Sequence, residues 1–199
     1  MSISLVKGQR ISLQKEAGNT LSKVTMGLGW DAKKSAGGGG LLSGLFGGGG
    51  GGDIDLDASC LLFDEQKQLV DAVWFRQLKS KDESIIHTGD NLTGEGEGDD
   101  EQIKVDLTRV PTQVKSLVFT INSFTGQTFD QVQNAFCRLV DDTTQQEIIR
   151  FDLSCQGQHT AQIMIKVYRH NDEWKAHAIG ENAHGKTFQD LAPAITAHL

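Results

Sequence analysis

No stretch of this 199-residue chain approaches the ~20 consecutive apolar residues that a bilayer-spanning helix needs. Its first residues, Met1 to Lys7, hold neither an apolar h-region nor a cleavage site, so no secretory signal is expected. Cysteine is sparse. Cys60, Cys137 and Cys155 form no close pair and no CxxC, and they read as reduced, buried thiols of a cytosolic protein. A redox or metalloid-binding thiol is the alternative, but nothing nearby would obviously lower a thiol pKa. Positive charge is also short: 19 Lys and Arg stand against 26 Asp and Glu, for a formal charge of -7. A phosphate-binding face needs the opposite balance, so nucleic acid is not an expected partner. The chain is expected in the cytoplasm, touching a membrane only peripherally at its inner face.

Catalytic signatures are missing too. No GxSxG surrounds a serine, and His87, His159, His170, His177, His184 and His198 are scattered. The glycine-rich segment lacks the Gly-Lys-Ser/Thr ending of a phosphate-cradling loop. Paired carboxylates can do glycosidic acid/base work only if one of them has a raised pKa. A polyanionic cluster around a cation keeps its acids ionised instead. The expectation is a protein that is not an enzyme.

What is present is enough for one substantial domain over 1–199, with 38% apolar residues. Period-two segments recur: 9–13, 23–27, 55–63, 70–75, 102–106, 116–121, 135–140, 147–152, 161–168 and 174–179. Turn residues fall between them, as at Asp64-Glu65, Asp141-Asp142 and Asn171-Asp172. Many short strands at this spacing predict a mainly β fold, a β-sandwich of two antiparallel sheets. One short helix is expected near the C-terminus, over 188–197, with Thr187 as a weak cap and Pro193 disturbing its middle. Residues 35–52 are low in complexity, with the apolar nub Leu41-Leu42-Ser43-Gly44-Leu45-Phe46 between glycine runs. They are expected to form a flexible Gly-rich loop. The nub is either a tolerated surface insertion or a tethered anchor for a partner or a membrane.

The most telling feature is acidic. Asp53, Asp55 and Asp57 alternate with Ile54, Leu56 and Ala58, so as a strand they would share one face. A second segment, Gly89 to Glu101, packs carboxylates among glycines. There Asp90, Asn91 and Thr93 offer side-chain oxygens, and Gly94, Gly96 and Gly98 free the backbone to present carbonyls. Glu95 and Glu97 alternate with those glycines, and Asp99, Asp100 and Glu101 lead into the next strand. Asp31 follows Gly29-Trp30. At ~6 Å and an effective dielectric of ~20, two like charges repel by ~3 kcal/mol before screening. Such groups either splay into water, as a solvated acidic loop, or gather around a cation. All-oxygen donors with no paired His or Cys favour a hard ion, calcium first and magnesium second. An EF-hand does not fit: counted from Asp53, its sixth and twelfth positions hold Ala58 and Asp64. His87, just before the acidic loop, is a candidate hydrogen-bond donor to a ligand.

These residues resemble the TerD family of tellurium-resistance and stress proteins, and within it the TerZ-like members. The resemblance rests on Gly27 to Asp31, Asp53 to Ser59 and His87 to Glu101, supported by Ser2 to Gly8, Val132 to Phe136 and Tyr168 to His170. It implies a calcium-binding β-sandwich holding two neighbouring ions. Carried over, it implicates Asp31, Asp53, Asp55 and Asp57 on one side. On the other side stand Asp90, Asn91, Thr93, Glu95, Asp99, Asp100 and Glu101, and Gly94 and Gly96 are candidates through their backbone carbonyls. It further implies a sensing or scaffolding role in tellurite resistance, among other proteins of a stress system linked to the membrane. The chain departs from the family pattern in the glycine-rich stretch before Asp53, which relatives bridge with a shorter loop.

Overall fold

The computed structural model describes residues 2–18, 21–32, 54–89, 98–153, 157–171 and 173–199. The Gly-rich stretch 35–52, Asp53, Asp90 to Glu97 and Cys155 lie outside the described residues.

Two six-stranded sheets face each other. The first runs, from edge to edge, β1 (Ile3–Ser4), β10 (Gln146–Asp152), β9 (Val132–Asp141), β3 (Lys23–Ala32), β7 (Glu101–Asp106) and β6 (Ile85–His87). The second runs β2 (Arg10–Ser12), β12 (Glu173–Ala183), β11 (Ala161–His170), β8 (Ser116–Ser123), β4 (Leu56–Phe63) and β5 (Leu69–Val73). The described pairings are antiparallel except β1 on β10. The expected sandwich is therefore what forms.

Alternation decides which side chains fill it. On β7, Ile103 and Val105 turn inward and Lys104 stays exposed, the pattern of a sheet with one wet face. On β3, Val24, Met26, Leu28 and Trp30 enter the core, and the glycines at 27 and 29 fall between them. Strand β4 is different, because all eight of its residues are buried. Leu56, Ala58, Cys60 and Leu62 belong to the core between the sheets. Leu61 and Phe63 belong to a second cluster, on the opposite face, with Val118, Phe188, Leu191 and Ile195. A strand covered on both sides explains the continuous apolar run Cys60 to Phe63.

The cover on that second face is the C-terminal segment. It is not one helix with a damaged middle. A 3-10 turn spans Phe188–Leu191, and α2 follows over Ala192–Thr196 with Pro193 in its first turn. Proline costs nothing there, since its missing N–H would have had no partner in the helix. Burying Phe188, Leu191 and Ile195 stabilises the docked segment by roughly 1.5–3 kcal/mol per side chain. A five-residue helix, α1 (Leu13–Ala17), also forms, capped by Ser12 and ended by Gly18 at φ 70°. It carries too little periodicity to be foreseen.

Cys60 and Cys137 are free thiols at 0% exposure within the inter-sheet core. Burial pushes both thiols far up from their ordinary pKa, which fits the reading of inert core residues. Among the described residues, no helix is long and apolar enough to cross a membrane.

His177 on β12 pairs with Lys166 of β11 on one side and Arg10 of β2 on the other. Burial, then the charges of Arg10, Lys166 and His198, lower its pKa from 6.5 to about 4. The unfolded chain therefore takes up this proton first as the pH falls. The residue's contribution to stability is full above pH 6.5 and is lost as the pH drops towards 4. His177→Gln is expected to flatten the decline in urea-unfolding free energy across that window. A wild-type and variant difference that does not change with pH would contradict this.

Candidate metal centre

The end of β3 and the beginnings of β4, β7 and β9 meet at one end of the sandwich, and the described acidic residues gather there. They are not one cluster. They occupy three places, separated by the sheets.

The first place lies over the end of the first sheet. Asp100 accepts a hydrogen bond from the Trp30 N–H at 2.8 Å, while its own N–H donates to the Leu28 carbonyl at 2.7 Å. Burial raises the Asp100 pKa; the Trp30 bond opposes this, and the charges of Asp31 and Asp99 add to it. Asp31 accepts from the Asn134 side-chain amide at 2.8 Å. Asn134 sits at φ 54°, in the left-handed region that asparagine tolerates. Asp99 is held differently. Arg138 grips both of its oxygens, Nε to Oδ1 at 2.7 Å and Nη2 to Oδ2 at 3.1 Å, and Gln102 donates to Oδ2 at 3.2 Å. A Cβ on Gly27 would lie 2.2 Å from Asp99 Oδ2, so the pair needs a glycine beneath it. Gly29 is equally constrained, with the Gly98 carbonyl 2.7 Å from where its Cβ would be.

The second place is between the sheets. Glu101 turns inward like Ile103 and Val105, is 1% exposed, and accepts from the Ala58 N–H at 2.8 Å. Pairing of β4 with β5 runs from Phe63 to Cys60 and stops there, and Glu101 serves the amide beyond that point. His87 Nε2 lies 3.4 Å from Glu101 Oε2, and its Nδ1 accepts from the Gly89 N–H at 3.2 Å. That bond assigns the ring proton to Nε2, facing the carboxylate. At that distance His87 Nε2 makes no hydrogen bond to Glu101, so the expected donor role of His87 is not seen.

The third place is the outer face of the second sheet. Asp57 shares its side of β4 with Ser59, Leu61 and Phe63, and it stands opposite Asn122 of β8. It is 5% exposed. Asp55 precedes the strand and is half-buried, and the Ile54 carbonyl accepts from Trp30 Nε1 at 3.0 Å. Of the three alternating acids only Asp57 lies in a strand, since β4 begins at Leu56 and Asp53 lies outside the described residues.

Among the described residues no three His, Cys, Asp or Glu side chains come together as a metal-binding group. Of the sequence candidates, Asp53, Asp90, Asn91, Thr93, Gly94, Glu95 and Gly96 lie outside the described residues. Arg138, Gln102, Asn134 and Asn122 were not foreseen. Each is a polar residue in or beside an alternating strand, and only the strand register tells which acid it meets.

Arg138→Met is expected to cost about 3 kcal/mol, because Asp99, with a side chain 2% exposed, would keep a buried charge without its partner. Adding Asp99→Asn should recover part of that loss. Strictly additive losses in urea denaturation would show that the two residues do not act as a pair.

Comparison with known proteins completes the description. The model of the TerD domain matches residues 1–194. The chain is 48% identical to the tellurium resistance protein TerZ of Serratia marcescens, over 98% of this chain and 97% of that protein. It is 42% identical to general stress protein 16U of Bacillus subtilis, over 93% of each. Among solved structures, a homologue of the telluride resistance protein TerD from Streptomyces coelicolor A3(2) superposes with a TM-score of 0.68 at 17% identity, covering 88% of this chain and 98% of that one. At that identity the match speaks for the fold alone.

Proposed function

Because the chain belongs to the TerD family, we propose that it is a calcium-binding stress-response protein of tellurite resistance. On this reading it binds rather than catalyses, and acts as a sensing or scaffolding module among other proteins of that system. The names of its relatives, tellurium resistance protein TerZ and general stress protein 16U, support the biological half.

The chemical half rests on one observation. Asp100 is raised by its own burial and by the neighbouring charges of Asp31 and Asp99. Carboxylates crowded at a half-buried strand end are a strain that a divalent ion relieves. The described donors suit calcium in kind, since Asp31, Asp55, Asp57 and Asp100 all offer oxygen, but they do not converge on one point. In number they fit only together with the candidates from Asp53 and from 90–96. Asp99 and Glu101 have structural work as well, at Arg138 and at the Ala58 amide. A bound ion would neutralise the crowding of Asp31, Asp99 and Asp100. Arg138, Asn134 and the Trp30 amide hold the acids in place for it.

An ion that binds the folded chain alone stabilises it by about 2.7 kcal/mol at a hundredfold excess over the dissociation constant. The melting temperature of metal-stripped protein is expected to rise clearly with calcium and less with magnesium. Superimposable melting curves in calcium and in chelator would overturn the reading.

A further inference from the structure

The amide of Asn122 is an anomaly on the outer face of the second sheet. Asn122 is 1% exposed and stands directly opposite Asp57. Its Nδ2 donates to the Gly185 carbonyl at 3.3 Å. Its Oδ1 is buried and has no hydrogen-bond partner. Flipping the amide is no remedy, because Oδ1 would then meet the Gly185 carbonyl, oxygen against oxygen. That carbonyl also accepts from the Thr160 hydroxyl at 3.3 Å, which fixes it from a second side. One step along β8 on the same face, Thr120 Oγ1 is likewise buried without a partner, at 0% exposure. Buried polar atoms are almost always satisfied, and an exception points to a water or an ion.

We propose that Asn122 is a neutral oxygen ligand to the cation held by Asp57. This deepens the calcium reading above and rests on it. Facing residues of an antiparallel pair stand ~5 Å apart at Cβ, so one ion can be shared between a carboxylate and an amide oxygen. Calcium takes side-chain amide oxygens readily and needs six to eight ligands in all. A neutral ligand suits this position. It adds coordination without adding to the acid crowding, and it comes from β8, outside both acidic segments. The ion then bridges Asp57 of β4 and Asn122 of β8 across the outer face of the second sheet.

The test uses full-length, metal-stripped protein. Calcium is titrated calorimetrically, and terbium(III) luminescence lifetimes in H2O and D2O count the waters left on the bound ion. Asn122→Ala is expected to weaken one calcium site at least about tenfold and to add one coordinated water. In chelator its melting temperature should stay close to that of wild type, since the lost bond to the Gly185 carbonyl offsets the removal of an unsatisfied atom. Asn122→Asp, which keeps a ligating oxygen, should retain the wild-type hydration number. In chelator it should melt lower, with two carboxylates facing each other. Wild-type affinity and hydration in Asn122→Ala would overturn the proposal and assign the site to an ordered water, leaving calcium binding elsewhere intact. Loss of the ion by Asn122→Asp would overturn it as well. If wild type itself takes up no calcium, the calcium reading falls, and this proposal with it.

Discussion

Glu101 carries a carboxylate from the first sheet into the space between the sheets, where it accepts the Ala58 N–H of the second. The amide lies past the point where β5 stops pairing, and the acid is shut away from water beside His87. An unmet amide or an unmet carboxylate at this depth costs more than most single contacts return. The two sheets are therefore locked in one relative register at the acidic end. Everything nearby is built from that lock. Glu101 opens β7, so Asp100 is presented to the Trp30 amide and Asp99 to Arg138. Ala58 follows Asp57, so the same bond fixes where Asp57 leaves the sheet on its opposite face.

Much of this architecture could be read from the chain. Ten alternating segments all became strands, because a period of two is imposed by backbone geometry and needs no distant partner. The missing pieces are those whose pattern is too short to see. β1 has two residues and β6 three, and both exist only because a neighbouring strand offers an edge. The C-terminal helix was legible in place but not in form. Pro193 looked like a break and instead begins α2, once a 3-10 turn has brought the chain round.

The candidate centre divides along the same line. That acids cluster is plain in composition and spacing. How they divide among three places is not, since it depends on the faces of two sheets that pack only in the fold. Asp57 and Glu101 lie in neighbouring motifs of one kind, yet alternation sends one outward and the other inward. Arg138 is one charged residue in an alternating strand, with no local mark of its purpose. Its meaning comes from its register with Gly27, 111 positions earlier in number, which leaves room for Asp99 to lie above that strand. Sequence spacing records what a segment offers, and pairing across the sheets decides what it meets.

The two core cysteines have a bearing on the setting in which such a protein works. Oxidants consume sulfur nucleophiles, and they act on the ionised, accessible form. Cys60 and Cys137 are neither ionised nor accessible. At those two positions the folded chain offers thiophilic poisons no foothold. Unfolding is what would expose these two sulfurs.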